Sequence, residues 1–196
     1  MTVQYKEAYM EILIVIDAQN DFITGKLAVP GAEEVVKNIC HEVKQTSAFP
    51  IVTQDIHDQG EYALSVEGKN LPEHCDRSNT GCWLHDELFN VLKCKVGCEY
   101  YPVRKSTFAY MNWPTIFSEI LQFFPDPDLG ASSAAITGVT LMGFCTDICV
   151  LSNAIVLRSL FPNIHIRVKA DCCAGSTPEL HEAALKVMAA NLIEIV

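Results

Sequence analysis

Short apolar runs alternate with amphipathic stretches along the 196 residues of the chain. The run Glu11 to Ile16 is rich in β-branched residues and ends at Asp17, which is typical of a buried parallel strand. Ala32 to Ser47 carries apolar residues at helical spacing after the turn Pro30-Gly31. The same patterns predict strands at Pro50 to Gln54, Glu99 to Arg104, Ala134 to Met142, His165 to Ala170 and Leu192 to Val196, and helices at Thr115 to Phe124, Leu151 to Leu160 and Pro178 to Ala190.

This alternation of strands and helices predicts right-handed βαβ units and therefore an α/β fold. We expect a three-layer αβα, Rossmann-like architecture, in which helices cover both faces of a doubly wound, mainly parallel sheet. The chain length fits a single domain over residues 1–196. Residues 56–97 stand apart because they are polar and irregular. An irregular segment of that length inside a compact domain is usually functional.

Composition and charge narrow the classes of partner. Hydrophobic residues make up 49% of the chain and charged residues 19%, which is typical of a globular protein with a large core. The net charge of −10 argues against nucleic acid, because phosphate binding needs clustered Lys and Arg. No apolar run is long enough to span a membrane, and residues 1–10 lack the apolar core of a signal peptide. We expect a cytoplasmic protein whose nine cysteines are mostly reduced.

Three reactive residues stand at or just past the ends of predicted strands: Asp17, Lys105 and Cys149. The carboxyl ends of parallel strands line the ligand crevice of such a sheet, so these residues are expected to converge. Cys149 lies on a sharp turn between a strand and a helix, where backbone amides stabilise a thiolate. Asp17 is a candidate base for the thiol proton, and Lys105 supplies positive charge. Taken singly, each could instead have an ordinary role, as a loop cap, a surface ion and a buried small residue.

A second group of residues has the spacing of metal ligands. Asp55 and His57 are two positions apart on an extended segment, so their side chains project in the same direction. His74 follows in the irregular segment and offers a second imidazole. Three protein ligands with open positions are typical of a catalytic metal site. Asp-x-His pairs also arise by chance, and a loop histidine is usually just solvated.

Six motifs occur in a fixed order along the chain. They are Asp17-Ala18-Gln19-Asn20-Asp21-Phe22, Val29-Pro30-Gly31-Ala32, Thr53-Gln54-Asp55-Ile56-His57, Leu71-Pro72-Glu73-His74-Cys75, Lys105-Ser106-Thr107-Phe108 and Gly143-Phe144-Cys145-Thr146-Asp147-Ile148-Cys149-Val150. No single motif is decisive, but the ordered set is specific. On these motifs the chain resembles the isochorismatase-like cysteine hydrolases, and in particular their nicotinamidase/pyrazinamidase branch, from Ile12 to about Ala190.

The resemblance implies an Asp-Lys-Cys catalytic triad at Asp17, Lys105 and Cys149. It also implies a cis peptide bond before Cys145, whose amide forms an oxyanion hole together with the amide of Cys149. Asp147 is expected to cap the helix that follows this turn. A cysteine at position 145 also leaves open a Cys145–Cys149 disulfide with a redox role.

The same resemblance implies one divalent metal ion at Asp55, His57 and His74. Glu67 would join these ligands directly or through water. Zn²⁺ is the first expectation, and Fe²⁺ or Mn²⁺ would suit the same ligands. The aromatic residues Phe22 and Tyr110 are candidate walls of the substrate pocket.

The implied activity is hydrolysis of nicotinamide or pyrazinamide, with nicotinate and ammonia formed from nicotinamide through a thioester, as in NAD salvage. The expected partner is therefore a small amide, with no nucleic acid or membrane, and the protein is expected to be a homo-oligomer. One alternative is a metal-free relative that hydrolyses another small amide, such as an N-carbamoyl compound. Isochorismatase-type ether hydrolysis is a second alternative, and a catalytically silent binding module of the same fold is a third.

Overall fold

A six-stranded sheet is the centre of the protein, whose computed structural model describes residues 9–94, 100–123 and 135–196. Its strands are β1 (Tyr9–Ile16), β2 (Phe49–Asp55), β3 (Tyr101–Lys105), β4 (Ala135–Phe144), β5 (His165–Ala174) and β6 (Glu194–Ile195). Their order across the sheet is β3-β2-β1-β4-β5-β6, and every pair of neighbours is parallel. In β1, the adjacent residues Ile14 and Val15 point to opposite faces and neither has any exposed surface, because helices cover both faces of the sheet.

The helices form two layers, one on each face of the sheet. They are α1 (Asn20–Ile23), α2 (Ala32–Gln45), α3 (Gln59–Tyr62), α4 (Asp86–Cys94), α5 (Trp113–Phe123), α6 (Leu151–Leu160) and α7 (Pro178–Ala190). The chain moves from β1 through α2 to β2 in one direction, and from β4 through α6 to β5 in the other. Right-handed connections in opposite directions place α2 and α6 on opposite faces. Accordingly α2 packs on α4, and α6 packs on α7, so the αβα prediction is confirmed.

Most predicted elements are present, with differences at their ends. The helices over Leu151 to Leu160 and Pro178 to Ala190 have the predicted bounds. The strand predicted to end at Ala170 continues to Ala174, whereas the last strand is only Glu194–Ile195. The predicted ends at Glu99, Phe124 and Ala134 lie outside the described residues.

The prediction that residues 56–97 are irregular is wrong in part. This segment contains α3, a 3₁₀ turn at Thr80–Cys82 and the nine-residue helix α4. Leu88, Val91 and Leu92 have the i, i+3, i+4 spacing of one helix face, and all three are buried. Asp86 and Glu87 precede these apolar positions and Lys93 follows them, which gives this stretch its polar character. Across the described ranges, no helix combines the length and the apolar character that crossing a membrane requires.

Candidate active site

Reactive side chains stand at the same edge of the sheet, at the ends of four neighbouring strands. Asp17 directly follows β1, Asp55 ends β2, and Lys105 ends β3. The turn after β4 carries Cys145 and Cys149. The direction of the chain across the sheet reverses between β1 and β4, and ligand crevices form at such a reversal. The topology therefore places all five residues around one crevice.

Lys105 links Asp17 to Cys149. Its Nζ lies 2.6 Å from Asp17 Oδ2 and 3.6 Å from Cys149 Sγ. The side chains of Lys105 and Asp17 are 1% and 0% exposed, and Cys149 is also buried, so water screens these charges little. The predicted convergence of the three strand-end residues is confirmed, while their catalytic roles stay a prediction.

Asp17 is held in place by Thr53, a motif residue to which the sequence assigned no role. Thr53 Oγ1 donates a hydrogen bond to Asp17 Oδ1 at 2.6 Å and accepts one from the Asp17 backbone N–H at 3.1 Å. The backbone of Asp17 is left-handed, with φ of 48°, a region that Asp tolerates better than most residues. Thr53 thus fixes one carboxylate oxygen and leaves Oδ2 to face Lys105.

Burial and charge set the protonation states of the triad. Burial would lower the pKa of Lys105, but Asp17 and Cys149 raise it well above its ordinary value, so the ammonium is charged. Burial raises the pKa of Asp17, and Lys105 opposes that rise. Burial likewise raises the pKa of the Cys149 thiol well above its ordinary value, again opposed by Lys105. At neutral pH the thiol therefore keeps its proton until a base accepts it.

A glycine lets the end of β4 lie close against β1. Gly143 has φ of 127°, and a Cβ at this position would collide with the carbonyl oxygen of Ile16. The next peptide bond, between Phe144 and Cys145, is cis, as the family resemblance implies. The turn that carries Cys149 thus begins directly beside the end of β1, where Asp17 stands.

Cys149 lies in a single π-helical turn, Thr146–Val150, that continues directly into α6. The backbone amides of Ile148 and Val150 both donate to the carbonyl oxygen of Cys145 at 3.1 Å. The backbone N–H groups of a first helical turn carry partial positive charge and point out of the helix end. This end of the turn is therefore a suitable place to bind an oxyanion.

Asp147 does not cap α6, contrary to the prediction. Its two carboxylate oxygens accept hydrogen bonds from the backbone N–H and the hydroxyl of Ser176, each at 2.8 Å. These bonds connect the turn that carries Cys149 to the segment between β5 and α7. Asp147 therefore fixes Ser176, which itself lines the cavity described below.

Two carboxylates and two imidazoles face one another beside the triad. Asp55 Oδ2 lies 2.9 Å from His57 Nε2 and 3.4 Å from His74 Nε2. Glu67 Oε1 lies 3.7 Å and 3.5 Å from the same two nitrogens. The four ligand atoms are all within 4.8 Å of one another. The structure thus brings together every residue for which a metal-binding role was predicted.

This donor set fits a divalent cation. Ligand atoms bound tetrahedrally at about 2.0–2.2 Å from Zn²⁺ lie roughly 3.3–3.6 Å from one another. Three of the four carboxylate–imidazole distances, 3.4, 3.5 and 3.7 Å, are close to this range. Burial raises the pKa of Glu67, and the Asp55 carboxylate adds to this rise, so a bound cation would offset an existing repulsion. Imidazole and carboxylate ligands suit Zn²⁺, Fe²⁺ and Mn²⁺.

Asp55 belongs to both groups of residues. Its Oδ1 lies 3.7 Å from Lys105 Nζ, while its Oδ2 faces the two histidines. Burial would raise the pKa of Asp55, but hydrogen bonds with His57 and His74 and the charge of Lys105 hold it well below its ordinary value. The side chain of Gln19 makes two hydrogen bonds with the Asp55 backbone and so fixes its position. It accepts from the Asp55 N–H at 2.7 Å and donates to the Asp55 carbonyl at 2.8 Å.

Local pairing explains how His57 and His74 meet. The His57 N–H donates to the carbonyl of Cys75 at 3.0 Å, and the Arg77 N–H donates to the carbonyl of His57 at 3.0 Å. Cys75 has a left-handed backbone, with φ of 46°, and its N–H donates to the buried carboxylate of Asp21 at 2.7 Å. The segment after His74 is thus paired with the segment that carries His57.

Tyr62 is a further residue of this group that the sequence did not reveal. Its hydroxyl lies 3.1 Å from His74 Nδ1, and its ring centre is 4.4 Å from that of His57. His74 Nδ1 also lies 2.8 Å from the carbonyl oxygen of Pro72. A carbonyl partner at Nδ1 keeps the proton there and leaves Nε2 free to bind a metal.

One cavity of about 280 Å³ opens onto both groups of residues. Phe22 lines it as predicted, and its ring meets His74 edge-on with 5.5 Å between ring centres. Tyr110 is not among the lining residues, because its ring packs against buried Trp113 at 5.3 Å. The remaining lining residues are Lys26, Leu27, Ala28, Val29, Asp55, Glu67, Leu71, His74, Phe108, Cys145, Ile148, Cys149 and Ser176.

Comparison with known proteins places the chain in a family. The family model described as Isochorismatase domain matches residues 11–196. The chain belongs to the isochorismatase family. Within this family, the uncharacterized protein PncA of Bacillus subtilis is 29% identical over 149 residues, which are 73% of this chain and 75% of that one.

Solved structures share the fold of this isochorismatase-family chain. The pyrazinamidase/nicotinamidase of Streptococcus mutans is 24% identical and superposes with a TM-score of 0.76 over 95% of this chain and 99% of that one. The pyrazinamidase of Pyrococcus horikoshii, solved in complex with zinc, is 22% identical, with a TM-score of 0.69 over 95% and 98%. The predicted family and fold are confirmed.

Proposed function

We propose that this isochorismatase-family protein is a metal-assisted cysteine amidohydrolase that converts nicotinamide to nicotinate and ammonia, as in NAD salvage, and accepts pyrazinamide. The observation that carries the proposal is the position of Lys105 Nζ, 2.6 Å from Asp17 and 3.6 Å from Cys149 Sγ, beside the same cavity as the four candidate metal ligands. The names of the Streptococcus and Pyrococcus structures support this substrate class.

The reaction begins when the Cys149 thiol gives its proton to Asp17 and the sulfur attacks the amide carbon. Burial raises the pKa of Asp17, which suits a carboxylate that must receive a proton, but it also raises the pKa of the Cys149 thiol, which opposes the transfer. The charged Lys105 stabilises the thiolate as it forms, since a cation in contact with sulfur favours the ionised state. The new C–S bond leaves a negative charge on the former carbonyl oxygen.

The amides of Cys145 and Cys149 are the proposed donors to this oxyanion. When the intermediate collapses, the C–N bond breaks and Asp17 returns the proton to the departing nitrogen, which leaves as ammonia. Water then adds to the thioester and gives a proton to Asp17. The C–S bond breaks, nicotinic acid is released, and the proton on Asp17 restores the Cys149 thiol.

Asp55, His57, Glu67 and His74 would hold the divalent cation, and Zn²⁺ is the proposed ion. When bound, the cation supplies a Lewis-acidic site for the lone pair of a pyridine nitrogen. Phe22 borders this position and offers an apolar wall to an aromatic ring. Orientation of the carboxamide towards sulfur is worth much here, because well-aligned intramolecular attack recovers about 7–11 kcal/mol of the barrier.

The test is ammonia release from nicotinamide, pyrazinamide and an N-carbamoyl amide, together with metal analysis of the purified protein. We expect turnover of the first two substrates and about one metal ion per chain. Cys149→Ala should abolish turnover and retain the metal, whereas Cys94→Ala, at an exposed cysteine outside the cavity, should change neither. Release from the N-carbamoyl amide alone, or from no amide by a folded protein, would overturn the proposal.

A further inference from the structure

We propose that Asn153 is a positioning residue, which holds the pocket wall at Phe108 in register with the nucleophile Cys149. Asn153 lies on α6, one helical turn after Cys149, and has no exposed surface. None of the motifs in the sequence includes it. The kinetic part of this proposal rests on the proposed function, whereas its geometric part can be tested without that function.

The side-chain amide of Asn153 makes four hydrogen bonds. Its Nδ2 donates to the carbonyl oxygens of Cys149 at 2.8 Å and Phe108 at 3.1 Å. Its Oδ1 accepts from the backbone N–H of Tyr110 at 3.0 Å and from the indole N–H of Trp113 at 3.2 Å. Both partners of Nδ2 are acceptors and both partners of Oδ1 are donors, so only this orientation of the amide satisfies all four.

These bonds join two parts of the cavity that are distant in sequence. Phe108 belongs to the segment that leaves β3 after Lys105, and its ring lines the cavity although it is 41% exposed. A half-exposed ring has little packing to fix it, so its position depends on its backbone. Asn153 binds that backbone at Phe108 and Tyr110 and binds the nucleophile turn at Cys149. The width of the cavity beside Sγ therefore depends on this one amide.

The first test compares steady-state kinetics of the full-length protein and its variants. Asn153→Ala removes all four bonds, and we expect kcat/KM for nicotinamide to fall by about 10- to 100-fold, since small misplacements of reacting groups cost this much. Asn153→Asp should stay neutral, because an ionised carboxylate would be buried against the carbonyl oxygens of Cys149 and Phe108. It retains an acceptor for Tyr110 and Trp113 but can donate to only one of the two carbonyls. It should fold even if the alanine variant does not, and it should still raise KM.

Arg158→Ala is the matched control on the same helix. Arg158 also binds backbone carbonyls, those of Pro162, Ile164 and Leu192, but neither it nor these partners line the cavity. We expect its kinetics to equal those of the unsubstituted protein even if its stability falls. If Arg158→Ala lowers kcat/KM as much as Asn153→Ala does, the effect of Asn153 is a general structural one and the proposal is wrong.

A double-mutant cycle tests whether Asn153 acts through Phe108. Phe108→Ala should raise KM. Asn153→Ala should then raise KM less in the Phe108→Ala background than in the unsubstituted protein, because the pocket wall that Asn153 positions is already missing. Fully additive effects on KM would contradict the proposal.

The geometric test measures alkylation of Cys149 by iodoacetamide and by the bulkier N-phenyl iodoacetamide, quantified at the Cys149 peptide by mass spectrometry. A cavity held narrow by Asn153 should discriminate between the reagents, and both Asn153 variants should lower the ratio of the two rates. An unchanged ratio of the two alkylation rates would contradict the inference even if the protein hydrolyses nicotinamide. A lowered ratio in a protein that releases no ammonia would support the inference while the proposed function fails.

Discussion

Lys105→Met is the sharpest perturbation of the proposed mechanism. Methionine has a similar length and no charge, so the substitution removes the ammonium from between Asp17 and Cys149 with little change in volume. Both partners are buried, and Lys105 Nζ contacts each of them. Without this cation Asp17 takes up a proton, because a lone buried carboxylate is more costly than its neutral form. The variant should therefore fold but lack both the base and the charge that stabilises the thiolate.

The distances give the size of the effect. At an effective dielectric constant of about 20, a unit charge 3.6 Å from the thiolate contributes roughly 4.6 kcal/mol. Protonation of Asp17 removes a negative charge from the same site and so offsets part of this loss. Each 1.36 kcal/mol of lost stabilisation slows the reaction tenfold. If half of the roughly 4.6 kcal/mol is lost, kcat should fall by about fiftyfold. If all of it is lost, kcat should fall by a few thousandfold.

Two assays follow the substitution. Ammonia release from nicotinamide gives kcat, and mass spectrometry of Cys149 after iodoacetamide treatment at several pH values shows where the thiol ionises. The alkylation midpoint should move to higher pH in Lys105→Met. Lys169→Met is the control, since Lys169 pairs with Glu42 and lies outside the cavity. A kcat within tenfold of the unsubstituted protein, with an unmoved alkylation midpoint, would refute the assigned role of Lys105.

Two further expectations concern the metal and the pH dependence of stability. His57→Ala removes one of four ligand atoms and should weaken Zn²⁺ binding at least about tenfold in competition with a chelating dye; unchanged affinity would place the metal elsewhere. Burial raises the pKa of the Cys173 thiol from 9.0 to about 12, so above pH 9 the unfolded chain binds fewer protons than the folded one. Stability should then fall with rising pH, by about 1.4 kcal/mol per pH unit from this thiol. Urea unfolding at pH 8 and pH 10 should show a smaller loss for Cys173→Ala than for the exposed-site control Cys94→Ala; equal losses would contradict this.

Elements with strong periodicity could be predicted from the sequence almost to the residue. The helix Ala32–Gln45, predicted to end at Ser47, and the strand ending at Ile16 are examples, because each buries a regular series of apolar side chains. Helix α4 could not be recognised as easily. Only three of its nine residues are buried, and its exposed residues are mixed, with Asp86, Glu87 and Lys93 charged but Phe89 aromatic. Its stability comes from packing on α2, a contact that local pattern does not contain.

The candidate site likewise contains some residues that the sequence predicts and others that it does not. Topology alone brings Asp17, Lys105 and Cys149 together, because all parallel strands end at one edge. The roles of Thr53 and Asn153 depend on hydrogen bonds between segments that only the folded chain aligns. For Tyr110 the sequence shows an aromatic residue near the crevice but not the direction of its ring. Residue type and order thus predict the reactive groups better than they predict the residues that position them.

The two groups of residues form one electrostatic unit, because Asp55 faces both. Its Oδ2 meets His57 and His74, while its Oδ1 lies 3.7 Å from the Lys105 ammonium. A cation bound at Oδ2 would neutralise part of the negative charge of Asp55. The Lys105 ammonium would then be attracted less to Asp55 and would interact more strongly with Asp17 and the Cys149 sulfur. A metal at this position would therefore do more than orient a substrate ring. It would also favour ionisation of the Cys149 thiol.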